Sequence, residues 1–234
     1  MANDRRVVVV TGAAGHLGRA VAAAFAARGD TVVAVDRERE ALIGVYGDDQ
    51  APFVIAPVDL LSQQQVAACM QALLKRLGRI DVLCNLAGGF HMGESVHETA
   101  DDAWDKMFDI NCRTALNTVR AVVPHMVAQA AGKIVNVGAA SALKGLARMG
   151  PYIASKAALI RITESMALEL RGHGINVNCV LPSVIDTPAN RSAMPDADPR
   201  QWVAADDLAA VICFLASADA RALHGAAIPV AGLS

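Results

Sequence analysis

With 234 residues, 54% of them hydrophobic and 19% charged, the chain has the material for one large α/β domain and is not a disordered protein. A formal net charge of −2 provides no basic field for nucleic acid or anionic lipid, so a small anionic ligand must be held by local geometry. The five cysteines are scattered, with no C-x-x-C or Cys/His ligand spacing, so reduced thiols are expected and no disulfide framework or metal site. Only Val7 to Val10 follow the two N-terminal arginines, too short a run for a signal-peptide core. The longest apolar stretch, Leu208 to Ala216, is far short of a membrane span, which makes a cytoplasmic protein the expectation.

In chain order, Val7–Val10, Thr31–Val35, Phe53–Val58, Val82–Asn85, Ile134–Val137 and Ile175–Val180 read as strands, with a weaker one at Ala227–Val230. Between them Leu17–Arg28, Gln63–Leu77, Asp102–Ala130, Ile153–Leu170 and Asp206–Ala216 read as helices. Continuously apolar strands are buried on both faces, as in a parallel sheet, and parallel strands need crossover helices. The expected fold is a single α/β domain over residues 1–234: a Rossmann-type doubly wound parallel sheet of about seven strands, helices on both faces. Pro182–Trp202 breaks the pattern. It holds four of the nine prolines and little periodicity, and reads as a substrate loop or lid, 182–202.

The first strand runs into Thr11-Gly12-Ala13-Ala14-Gly15-His16-Leu17-Gly18 and then directly into a helix. Glycine at such a junction lets the backbone turn tightly and approach a pyrophosphate, whose charge is stabilised at a helix N-terminus. The second strand ends in Asp36, eighteen residues past Gly18, where a carboxylate accepts hydrogen bonds from the adenosine ribose. Asp36 also repels a 2′-phosphate carrying about −1.5 to −2 charges, which favours NAD(H). Arg37 follows it and compensates in part, which leaves NADP(H) open.

These features, with others in a fixed order, resemble the short-chain dehydrogenase/reductase family over nearly the whole chain. The shared motifs are Thr11–Gly18, Asp59-Leu60, Asn85-Leu86-Ala87-Gly88, Asn111 in a long helix, Tyr152-Ile153-Ala154-Ser155-Lys156, and Pro182 to Thr187. Two departures stand out: His16 occupies a position where the family commonly has glycine, and Ala139 lies thirteen residues before the tyrosine, where the family has its catalytic serine. Both are similar to the dihydropteridine reductase branch, as are Gly138–Gly145, Gly88-Gly89-Phe90, and the loop Val180–Asp198 with Trp202.

The resemblance implies a nicotinamide cofactor held by Gly12, Gly15, His16, Leu17, Gly18, Asp36 and Arg37. Asp59 and Leu60 are implied near adenine, and Asn85, Ala87 and Gly88 along the cofactor. Pro182 and Thr187 would meet the carboxamide. Tyr152 and Lys156, four apart on one helix face, form the catalytic pair: the ammonium lowers the phenol pKa and holds the ribose, and Tyr152 exchanges a proton with the substrate. The resemblance also implies that Asn111 holds Lys156 through a water and maintains a proton relay. Ser141 stands in for the missing serine if the preceding strand continues far enough for both positions to share a face. Loop histidines His91 and His97 read as solvated, and Trp202 as lid packing or a stacking surface.

Three readings remain open: an NADH-dependent reductase of a quinonoid dihydropterin-like compound, whose conjugated acceptor needs less polarisation; a carbonyl or alcohol dehydrogenase using Ser141; and a non-enzymatic nucleotide-binding regulator. The partners expected are a small-molecule substrate and further copies of the chain, as a dimer or tetramer paired through 102–130 and 153–170.

Overall fold

Runs rich in β-branched residues build the sheet. A computed structural model describes residues 5–233 and contains β1 (Val7–Thr11), β2 (Thr31–Asp36), β3 (Phe53–Pro57), β4 (Val82–Asn85), β5 (Gly132–Val137), β6 (Ile175–Pro182) and β7 (Ala227–Val230). They form one seven-stranded sheet in the order β3-β2-β1-β4-β5-β6-β7, parallel throughout. The helices are α1 (His16–Ala26), α2 (Arg39–Tyr46), α3 (Gln63–Leu77), α4 (Asp101–Phe108), α5 (Thr114–Gln129), α6 (Gly150–Leu170), α7 (Pro188–Ala193) and α8 (Ala205–Leu215). The expected single-domain Rossmann fold is what forms, and residues 1–4 and 234 lie outside the described residues.

Alternation along β1 divides the core. Val8 and Val10 pack with Phe25 of α1, Leu42 of α2 and Leu208 and Ile212 of α8 on one face. Val7 and Val9 pack with Val66 and Met70 of α3, Val122 and Met126 of α5 and Ala167 of α6 on the other. Each fully buried Leu, Ile, Phe or Met contributes about 1.5–3 kcal/mol by leaving water. Local signals set the helix ends where they are strong. Ser62 caps α3 by accepting Gln65 N–H at 3.3 Å, and Gly78 ends it in the left-handed region at φ +81°.

The structure departs from the sequence expectation in four places. α2 was not expected, because only Leu42 and Tyr46 of its eight residues are buried and its apolar stripe is correspondingly narrow. The single helix expected over Asp102–Ala130 is interrupted by a π-helical turn at Asp109–Arg113. The segment after β5 leaves the sheet and forms a 3-10 turn at Ala140–Leu143. The loop 182–202 holds α7 and a second 3-10 turn, and Ile185 bridges Val203 at its base.

β1 is the pivot of the sheet: β2 and β3 lie to one side and β4 to the other. The chain leaves β1 and β4 for helices on opposite faces, and in open α/β sheets the crevice that takes ligands lies at the carboxyl ends of the strands at such a point.

Candidate active site

Thr11 ties the two sides of this crevice together. Its Oγ1 accepts the N–H groups of Leu86 at 3.0 Å and Ala87 at 3.1 Å. Gly12 has φ +65°, and a Cβ there would lie 3.1 Å from the Ala87 backbone. A Cβ on Gly18 would lie 2.2 Å from Gly12 O, so helix and turn meet at a distance that admits no side chain. Gly15 caps α1 without a side-chain hydrogen bond, and no acidic residue lies in the first turn. The N–H groups opening α1 at His16, Leu17 and Gly18 therefore keep their partial positive charge uncompensated. That donor set suits a pyrophosphate, and the close Gly12–Gly18 contact brings the backbone to it without an intervening side chain.

At the end of β2 the Asp36 carboxylate accepts Ala14 N–H at 3.0 Å and Arg37 N–H at 2.8 Å. The Arg37 guanidinium pairs with Glu38 at 2.8 Å, and both are exposed. Asp59 folds its loop by accepting Leu61 N–H at 2.9 Å, and buried Leu60 gives its carbonyl to Asn117 Nδ2 of α5 at 2.9 Å.

The second cluster gathers Asn111, Lys156, Tyr152 and Gly88. Asn111 sits in the middle of the π-helical turn, a local geometry common at functional sites. Its Nδ2 donates to Gly89 O at 3.1 Å and to Ser155 Oγ at 3.0 Å, and its Oδ1 accepts Gly89 N–H at 2.9 Å. Ser155 Oγ in turn donates to Tyr152 O at 2.8 Å. A Cβ on Gly88 would lie 2.9 Å from Asn111 Oδ1 and 3.1 Å from Lys156 Nζ, so glycine there is what lets the two side chains approach one backbone position.

Lys156 is 6% exposed and its Nζ donates to Val137 O at 2.8 Å. Burial lowers its pKa to about 8 from the ordinary 10.5. Burial also raises the Tyr152 pKa. The expected lowering of the phenol pKa by the ammonium is thus reversed, because the ammonium bonds to the Val137 carbonyl and desolvation dominates at the phenol. The Phe90 ring meets Tyr152 edge-on, centroids 5.0 Å apart, yet is 62% exposed. Ala139 is buried in an apolar cluster with Ala142, Ile160, Cys179 and Leu181, against which Tyr152 packs.

Other expected site residues fall elsewhere. Ser141 lies in the 3-10 turn after Ala139, so the condition that would align it with position 139 fails. Among the described residues its hydroxyl has no hydrogen-bond partner. The Asn85 side chain is committed to a buried chain: it donates to Asn136 at 2.9 Å, accepts from Thr118 at 2.7 Å, and Asn136 continues to Thr163 at 2.8 Å. Only its backbone is left for a ligand. Thr187 caps α7 by accepting Asn190 N–H at 3.1 Å, which leaves its hydroxyl proton free to donate. Pro182 ends β6, paired with Val230 of β7. Trp202 is 8% exposed, so its ring is not open to stacking. His97 is exposed, and His91 stands 3.8 Å from the Glu94 carboxylate. Ser155 and Tyr46 escaped the sequence reading; Ser155 lies inside a recognised motif, but Tyr46 has no local signal.

Residues 6–198 match the family described as short chain dehydrogenase. The chain is 34% identical to a 2-(R)-hydroxypropyl-CoM dehydrogenase of Xanthobacter autotrophicus, covering 97% of each. It is 33% identical to a meso-2,3-butanediol dehydrogenase of Serratia marcescens, covering 98% of this chain and 94% of that protein. The structure of an NAD+-bound xylitol dehydrogenase superposes with a TM-score of 0.89 at 27% identity, covering 97% of this chain and 98% of the other. The chain belongs to the short-chain dehydrogenase family. It is accordingly an oxidoreductase with a nicotinamide cofactor, which sets the regulator reading aside. Among the described residues no helix is long and apolar enough to cross a membrane.

Proposed function

We propose that the chain interconverts a carbonyl or carbonyl-like acceptor and its reduced form using NAD(H), and that acceptors activated by conjugation outrun simple ketones. A quinonoid dihydropterin is the specific candidate. The observation that carries this reading is the methyl of Ala139, buried beside Tyr152 where the family's second hydroxyl would polarise a carbonyl. Losing one such donor costs about 2.7–4 kcal/mol of transition-state stabilisation for a carbonyl, and less for a conjugated C=N system that accepts hydride readily. The exposed Phe90 ring against Tyr152 supports a planar acceptor.

In this reading the turn Gly12–Gly18 and the start of α1 hold the pyrophosphate, and Asp36 accepts from the ribose hydroxyls. Asp59 and Leu60 border adenine, and the Asn85, Ala87 and Gly88 backbone lies along the dinucleotide. Thr187, beside Pro182, donates to the carboxamide. A bound reduced nicotinamide supplies the hydride. Tyr152 would give the proton to the acceptor's heteroatom, and Lys156 would hold the ribose. Asn111 orders the Gly88–Gly89 strip and the second turn of α6. The pairing of Arg37 with Glu38 weakens any compensation for a 2′-phosphate and favours NAD(H) over NADP(H). The apolar groove between α5 and α6, lined by Val119, Val123, Pro124, Ile162 and Met166, supports a homo-oligomer built through these helices. Free cysteines support a cytoplasmic setting.

The names of the relatives favour a second reading, a dehydrogenase of simple secondary alcohols and ketones. One experiment separates the two. The protein is titrated with NADH and NADPH, then offered quinonoid dihydrobiopterin and a panel of aliphatic ketones. A kcat/KM for the pterin well above every ketone is expected, and ketone turnover without pterin turnover overturns the first reading.

A further inference from the structure

The turn between β1 and α1 is held from behind. The peptide group joining Ala13 to Ala14 is bonded at both ends by side chains: Tyr46 Oη donates to Ala13 O at 2.6 Å, and Asp36 accepts Ala14 N–H at 3.0 Å. The next peptide group is held in the same way: Arg19 Nε donates to Ala14 O at 2.8 Å, and Gly15 N–H bonds to Gly12 O at 3.1 Å. A peptide plane bonded at one end can flip and exchange its N–H and C=O directions; one bonded at both ends loses two hydrogen bonds in doing so.

We propose that Tyr46 is a positioning residue for the cofactor: its buried hydroxyl fixes the Ala13–Ala14 peptide, and with it the direction in which the turn and the start of α1 present their N–H groups. This rests on the reading that the pyrophosphate lies on that turn. Tyr46 ends α2, 33 residues along the chain from Ala13, and its ring packs on Phe53 at a centroid distance of 4.8 Å. Burial pushes its pKa up to about 12, so the hydroxyl stays a donor throughout the working range of pH. Asp36 then has two tasks, ribose recognition and turn fixing, whereas Tyr46 has only the second. Its effect falls on ligands that carry a pyrophosphate, whichever dinucleotide they belong to.

The test is Tyr46→Phe, which keeps the ring and removes the donor. Dissociation constants for NADH, NADPH, ADP-ribose and adenosine are measured at 25 °C, with the last two by competition. NADH, NADPH and ADP-ribose should each weaken by about five- to tenfold, the scale of one lost hydrogen bond, while adenosine stays within about twofold. kcat at saturating NADH should be unchanged. A merely structural tyrosine would lower Tm and leave these constants alone, so unchanged NADH and ADP-ribose binding overturns the proposal. Equal weakening of adenosine overturns it too, since the effect would then come through the adenosine pocket. Should ADP-ribose fail to compete with NADH on the unmodified protein, the pyrophosphate is not on this turn and the parent reading falls as well. If Tyr46→Phe does not fold, exposed Arg19→Met frees the neighbouring peptide instead. It should show the same pyrophosphate-selective loss, and wild-type constants from it overturn the proposal.

Discussion

Asn111 holds both polar groups of Gly89, donating to its carbonyl at 3.1 Å and accepting its N–H at 2.9 Å. The same Nδ2 reaches Ser155 Oγ at 3.0 Å, so one side chain joins the strip after β4 to the second turn of α6. Asn111→Ala leaves the N–H and carbonyl of half-buried Gly89 without their partner and takes one hydrogen bond from buried Ser155, which keeps its bond to Tyr152 O. A stability loss of about 2–4 kcal/mol in urea denaturation is expected, since each orphaned group costs about 1–3 kcal/mol. kcat should fall more than NADH affinity, because both tied segments carry the reacting end. A kcat within twofold of the unmodified protein would remove Asn111 from the catalytic arrangement.

Tyr152→Phe should lower kcat by about 10²- to 10⁴-fold on a carbonyl substrate, the usual contribution of one general acid, with NADH affinity within about twofold. Steady-state kinetics and fluorescence titration check both halves. A quinonoid acceptor should lose less, since solvent can supply its proton. Near-full ketone activity in this variant would refute the tyrosine-acid mechanism.

Lys156 makes stability depend on pH. Its folded pKa, lowered to about 8 by burial, lies below the ordinary 10.5 of the unfolded chain. Between those values the unfolded state binds the extra proton, so this residue's contribution to stability rises with pH, by on the order of 3 kcal/mol in total. Below about pH 8 the penalty is complete and constant. Buried thiols and Tyr152, all raised by burial, act in the opposite sense at alkaline pH, so the effect is read as a difference. Lys156→Met should be more stable than the unmodified protein at pH 7, and the gap should hold to about pH 8 and then narrow toward pH 10. A constant gap across that range contradicts the assignment.

How much of this was legible in the sequence follows from the range of each interaction. The strands of the central sheet were readable because Val7–Val10 and Val32–Val35 are apolar at every position, a pattern that needs no partner to interpret. Tyr152, Lys156 and Asn111 were readable because their spacing lies within recognisable local motifs. The π-helical turn was not, since one extra residue per turn leaves the composition around Asn111 unchanged. The turn that carries Ser141 was not legible either, because strand continuation past Val137 depends on neighbours that the segment itself does not encode. Tyr46 was invisible for the same reason: its partner, the Ala13 carbonyl, belongs to a different element and has no side-chain signature.

Asp36→Ala should narrow the preference for NADH over NADPH by about tenfold or more, since a carboxylate beside the 2′-phosphate is removed. Affinity for both dinucleotides should also drop, because Ala14 N–H loses its acceptor. Isothermal titration with each cofactor reads the ratio and the absolute values separately. An unchanged ratio would take discrimination away from Asp36.

The proposed substrate preference rests on position 139. Ala139→Ser returns a hydroxyl beside Tyr152, in a pocket otherwise made by Ala142, Ile160, Cys179 and Leu181. None of these side chains can bond the hydroxyl well, so the substitution should cost about 1–3 kcal/mol of stability in the free protein. A ketone oxygen supplies the missing partner, whereas a conjugated C=N acceptor gains little. The expected result is a rise of about tenfold or more in kcat/KM for aliphatic ketones, with quinonoid dihydropterin changed by less than about threefold. Ser141→Ala is the counterpart and should leave both substrates nearly unaffected, because the 3-10 turn takes Ser141 out of line with position 139. If Ser141→Ala destroys ketone turnover and no pterin is reduced, Ser141 is the displaced serine and the simple alcohol dehydrogenase reading replaces the conjugated-acceptor one.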